Sequence, residues 1–106
     1  MTEKIVSYLG FALRARKVKL GVNSAQSVKN GIYLIILCHT ASPNTVKEAH
    51  SLAKKHHAKI VVSTYYTVET LTNKENCKLI AVCDRQFSTA ILNNLNEHFV
   101  ISEADI

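Results

Sequence analysis

Apolar and polar positions fall into blocks along the chain, and each block has the period of one kind of element. Ile5, Val6, Leu9 and Leu13 recur at helical spacing, with Thr2 placed to cap the helix and Arg14 and Arg16 near its end. Residues 17–20, "KVKL", read as a short strand before Gly21. "NSAQSVKN" (23–30) reads as a short helix, capped by Asn23 or Ser24 and closed by Gly31 in the left-handed conformation. "IYLIILC" (32–38) is apolar at every position and too short to cross a bilayer, which predicts a buried strand. Ser42 as cap and Pro43 at the first position then open a helix with the stripe Val46, Ala49 and Ala53. "KIVVSTY" (59–65) and "KLIAVC" (78–83) predict two more central strands. Between them "TVETLTN" (67–73) gives one or two helical turns capped by Thr67. Asp84 caps a last helix with Phe87, Ala90, Ile91 and Leu95 on one face, and "FVISEADI" (99–106) is a tail that offers an edge strand.

Strands that are apolar throughout need cover on both faces. Their alternation with helices predicts an α/β fold, a three-layer α-β-α sandwich around a central mixed sheet of about four strands, partly parallel through right-handed crossovers. At 106 residues, 1–106 is expected to form a single domain. With 47% apolar residues, one proline and three glycines, the chain carries neither a disordered segment nor a linker. Its start has interrupted apolar positions and no small-residue cleavage site, unlike a signal peptide. Cys38, Cys77 and Cys83 are an odd number without paired spacing, as for reduced thiols. The expectation is a cytoplasmic monomer without membrane contact.

Charge changes the picture more. There are 13 Lys and Arg against 8 Asp and Glu, which favours a polyanionic partner. Lys4, Arg14, Arg16, Lys17, Lys19 and Lys29 fall in the first third beside one acid, Glu3, so a nucleic-acid backbone is expected there.

Catalytic constellations are not visible. Cys38-His39, Cys83-Asp84 and His56-His57 lack the paired spacing of zinc ligands, and no metal or other cofactor is expected. Cys83 precedes a helix start, but no base is placed to activate it. Glu48 and His50 lie on different sides of their helix, and no Ser-His-Asp set, Walker loop or glycine fingerprint occurs. Tyr65-Tyr66 ends a strand; such rings can stack on an extruded base, or one enters the core while the other covers a helix.

"RARKVKLGVNSAQSVKNG" (14–31) is the most informative stretch. A short helix start offers free N–H groups, and Asn23, Ser24 and Gln26 can meet base edges or phosphates. Arg14, Arg16, Lys17, Lys19 and Lys29 either neutralise phosphates or simply solvate a face.

The order of elements and the residues "LGFALRARKVKLG…VKNG…LIILCHTASPNT…KLIAVCDRQFS" resemble the ribosomal L-seven-Ae / L-thirty-e family, in its bacterial stand-alone, YlxQ-type branch. The likeness runs from about Ile5 to Leu95. It rests on Gly10, Ala12, Arg14, Ala15, Lys17 and Gly21; on Ala41, Ser42, Asn44 and Thr45; and on Asp84 and Phe87 after a terminal strand. The resemblance implies a non-catalytic protein that binds structured, kink-turn-like RNA, ribosomal or regulatory, and that is ribosome-associated. Gly21, Asn23, Ser24 and Gln26 would face the RNA at the start of the second helix. Arg14, Lys17, Lys19 and Lys29 would contact phosphates, and Leu71 and Thr72 would flank an extruded nucleotide. Two segments depart from the family pattern. Ser24 stands at the usual glutamate, and the segment is one residue shorter, so Gln26 falls nearest the usual lysine. "LTNKENC" (71–77) replaces a small-residue loop, keeping Leu71. A protein-interaction module of the same fold is the alternative.

Overall fold

Two runs, Leu34–Cys38 and Leu79–Val82, are buried at every position, and they pair antiparallel at the middle of the sheet. The computed structural model describes residues 3–102. Along the chain the elements are α1 (Lys4–Arg14), β1 (Val18–Leu20), α2 (Val22–Gln26), β2 (Leu34–Cys38), α3 (Pro43–His56), β3 (Lys59–Ser63), α4 (Val68–Thr72), β4 (Leu79–Val82), α5 (Arg85–Leu92) and β5 (Phe99–Ile101). They form one mixed sheet of five strands in the order β1-β4-β2-β3-β5. Only β2 and β3 are parallel, joined through α3; the other pairs are antiparallel.

The two-residue period of the strands divides the core in two. Leu34, Ile36 and Cys38 point to the face covered by α1, α4 and α5, where they meet Ile5, Leu9, Val68, Ile91 and Phe99. Ile35 and Leu37 point to the other face, against Ala25 of α2 and Ala49 and Leu52 of α3. This is the α-β-α sandwich expected from strands without a polar face. The fifth strand comes from the tail: Phe99 is fully buried and draws residues 99–101 onto the open edge of β3. Among the described residues, no helix is long and apolar enough to cross a membrane.

Most caps form as expected. The side chains of Ser42, Thr67 and Asp84 accept from the backbone N–H of Thr45, Thr70 and Phe87. Thr2 lies outside the described residues. The N-cap position of α1 is Glu3, whose carboxylate accepts instead from Asn96 Nδ2 and faces His98 Nδ1 at 3.2 Å. Leu52 shares the buried stripe of α3 with Ala49, whereas Val46 and Ala53 are only half-buried. Leu95 lies beyond the end of α5. The second helix also differs. It begins at Val22, not at Asn23 or Ser24, because Gly21 at φ 89° and ψ 161° turns the chain where only glycine is comfortable. It ends at Gln26, with the Ser27 hydroxyl donating to the Ser24 carbonyl, so Gly31 (φ 100°) bends the descent to β2 and does not cap α2.

Candidate nucleic-acid interface

Strand directions sort the polar residues onto two ends of the sheet. β2 and β3 run one way, β1 also runs against β4, and β5 runs against β3. Five connections therefore meet at one end, where β1, β2 and β3 finish and β4 and β5 begin. Gly21, Thr40, Tyr65, Lys78 and His98 stand on that finish end. At the opposite, start end lie the entries to β1, β2 and β3 and the exit of β4, with Lys17, Tyr33, Lys59 and Asp84.

The finish end holds an open groove of about 480 Å³. One wall is Gly21, Val22, Asn23 and Ser24, and the other is Lys74, Asn76, Cys77 and Lys78, with Thr45 and Glu48 between them from α3. A second groove continues from the same lysines to Thr40, Thr67, Glu69 and Asn73. Segments some fifty residues apart in sequence thus border one surface. The Gly21 N–H donates to the Leu79 carbonyl at 2.8 Å, which ties the start of α2 to the start of β4. Asn23 and Ser24 are exposed along this groove. At five residues, α2 has too few aligned peptides to act through its dipole, so its side chains carry what recognition it offers.

Other expected residues lie elsewhere. Gln26 borders a separate shallow depression with Ser51, Leu52 and Lys55, one helical turn further along both α2 and α3. Leu71 packs against the core beneath α4, and the Thr72 hydroxyl donates to the Val68 carbonyl at 2.8 Å. The exposed apolar surface at this end is Tyr65, 66% exposed and stacked on His98 with ring centroids 4.6 Å apart. Tyr66 is half-buried over Phe99, so one tyrosine supports the core while the other is exposed.

Arg14 and Lys17 are at the start end, separated from Gly21 by the length of β1. Arg14 lies 5.1 Å over the Phe11 ring. Lys19 is between the ends, its exposed side chain on the α2 face of the edge strand, and Lys29 is exposed on the descent from α2 to β2. The lysines that do border the groove, Lys74 and Lys78, belong to the loop before β4, outside the basic first third of the sequence. Lys78 is paired with Glu69 and donates to Thr40 Oγ1 at 3.0 Å. The hydrogen bond from Lys78 holds the Glu69 carboxyl below its ordinary range, and Glu69 raises Lys78 in return. With Glu48, Glu69 and Glu75 against two lysines, the grooves are not a cationic trough.

Burial pushes the Cys83 thiol up, and nearby Lys19 offsets this only in part. Cys38 is buried, its sulfur accepting from the Val68 N–H. His57 closes α3 at φ 55°, whereas His56 Nε2 is shut off from solvent without a hydrogen-bond partner. Among the described residues, no three His, Cys, Asp or Glu side chains converge on a metal-sized space.

No family model matches the chain, and no curated protein does. A solved structure described as "a protein with unknown function from Bacillus halodurans C" is similar, with a TM-score of 0.65 and 25% identity over 83% of this chain and 92% of that one.

Proposed function

We propose that this chain is a non-catalytic, cytoplasmic, monomeric RNA-binding protein of the ribosomal L-seven-Ae / L-thirty-e type. Its target is structured, kink-turn-like RNA of ribosomal or regulatory origin. The observation that carries the reading is the groove in which Gly21–Ser24, the segment that the family resemblance assigns to base edges, faces Lys74–Lys78, the end of the loop that follows Leu71 and Thr72. Asn23 and Ser24 offer amide and hydroxyl groups to exposed base edges, and Tyr65 offers an aromatic face to an unstacked base. Phosphate contacts fall to Arg14, Lys17, Lys19 and Lys29.

The test is a titration of a kink-turn RNA against the same duplex with its G·A pairs replaced by Watson–Crick pairs. Preference for the kink-turn of about tenfold or more, about 1.4 kcal/mol, supports the reading. Asn23→Ala should erase that preference, and equal binding of both RNAs by the parent overturns it. The mixed charge of the grooves favours a second reading, a protein-interaction module of the same fold. Partners retained from lysate after RNase treatment would support that alternative.

A further inference from the structure

The start end of the sheet gathers most of the chain's 13 Lys and Arg residues, although they are scattered through the sequence. Arg14, Arg16 and Lys17 close α1 there. Lys54, Lys55 and Lys59 surround the end of α3, and Arg85 opens α5. Among the described residues the one acid at this end is Asp84, which caps α5. Lys17 and Lys59 follow the ends of α1 and α3 by three residues, so all of these cations except Arg85 sit near helix C-termini, where positive charge is favourable in itself. The exception decides the matter. Arg85 is the first residue of a helix, where the dipole disfavours a cation. Lys17, Arg85 and Lys59 also lie along one row of strand ends, β1 to β3, about 14 Å across at the usual strand spacing. Arg85 is held 5.5 Å over the exposed ring of Tyr33, and Arg14 over Phe11.

We propose that this start end is a second, sequence-independent binding surface for the phosphate backbone of duplex RNA, a different segment from the one met at the groove. The inference rests on the reading that the partner is RNA. Charge changes sign over the length of β2, about 17 Å, because the other described acids all lie toward the finish end. One continuous phosphate track over both ends would run across those carboxylates, so the two surfaces engage separate segments and the protein bridges them.

The experiment titrates a labelled plain RNA duplex, without bulges or G·A pairs, at several salt concentrations. It compares the parent chain with a Lys54→Gln/Lys55→Gln/Lys59→Gln variant and with Arg85→Gln, each checked for folding by circular dichroism. The triple variant should bind the duplex at least about tenfold more weakly, with a salt slope reduced by about one per lysine. Arg85→Gln should reduce the slope by about one. Parent-like affinity and slope in folded triple and Arg85→Gln variants would overturn the proposal. So would tighter binding of the parent to phosphatidylglycerol vesicles than to the duplex, which would assign the surface to a membrane. Equal binding of the kink-turn and the plain duplex by the parent, with the triple variant still weakened, would instead remove the groove reading and leave this one standing.

Discussion

The two ends of the sheet are built from the same kinds of connection and differ in what those connections carry. At the finish end a glycine turn, a five-residue helix and the loop 73–78 leave an open groove lined by amides, hydroxyls and charges of both signs. At the start end, long cationic side chains surround two left-handed helix closures, Arg16 and His57. In the proposed reading, one end supplies the shape and hydrogen-bonding groups that read the RNA and the other the charge that anchors it. Affinity for nucleic acid comes mainly from phosphate contacts and discrimination from base edges, so separating the two should make them separable by mutation.

The strongest way to break the finish end is Gly21→Ala. The space around Gly21 is open, so a methyl group meets no neighbour, and the cost is backbone strain alone. At φ 89° and ψ 161° that strain should lower stability by about 1–3 kcal/mol in urea unfolding, or tilt α2 out of place. Kink-turn preference should fall while plain-duplex binding holds. A variant with parent stability and parent preference would show that the turn does not position the reader.

This separation could not be read from the sequence. The layers could, because strands such as Leu34–Cys38 show no polar face and the caps Ser42, Thr67 and Asp84 announce their helices. Asn23 and Ser24 were also legible beside Gly21. Sequence order sets the charges of Arg14 and Lys17 beside Gly21. A strand between them sends the first two to one end and the third to the other. Lys54, Lys55, Lys59 and Arg85 join Arg14 only because α3 and α5 meet that end, and Lys74 and Lys78 reach the groove only because β4 pairs with both β1 and β2. Such placement is set by strand order and direction, which local pattern does not contain. Leu71 is set by the same kind of placement: α4 packs it, half-buried, against the core.

Asp84 tests the other end with a smaller effect. Its carboxylate accepts from the Phe87 N–H at 2.9 Å, and it is the acid within the basic surface. Asp84→Ala should cost about 1 kcal/mol through the lost cap, and Asp84→Asn much less, because the amide oxygen still accepts. Asp84→Asn should also tighten plain-duplex binding. Equal duplex affinity for Asn and Asp at this position would mean that the start end does not sense phosphate charge.

Acid should weaken the start end from within. Burial, and then the Lys55 charge, lower the His56 pKa from the ordinary value of 6.5. The folded protein therefore binds a proton at His56 less readily than the unfolded chain. Its contribution to stability is full above the unfolded value and is lost as pH falls through 6.5 toward the lowered folded value. Thermal midpoints should drop over that window in the parent, and His56→Gln should flatten this part of the profile. An unchanged profile in His56→Gln would place the acid sensitivity elsewhere.

The smallest expected effect brings the two ends closer together. Lys78 borders both grooves, yet its charge is directed at Glu69, so little of it reaches a ligand. Glu69→Gln keeps an oxygen to accept from Lys78 and removes the carboxylate charge. Lys78 then becomes available to a phosphate, and the grooves change from a net negative to a balanced lining. Kink-turn binding should tighten modestly, with a salt slope steeper by about one unit, the signature of one added phosphate contact. Lys78→Met on the Glu69→Gln background should return the slope to that of the parent. If Glu69→Gln leaves the slope unchanged, the groove meets no backbone phosphate near Lys78, and its contribution to binding is confined to base edges read by Asn23 and Ser24.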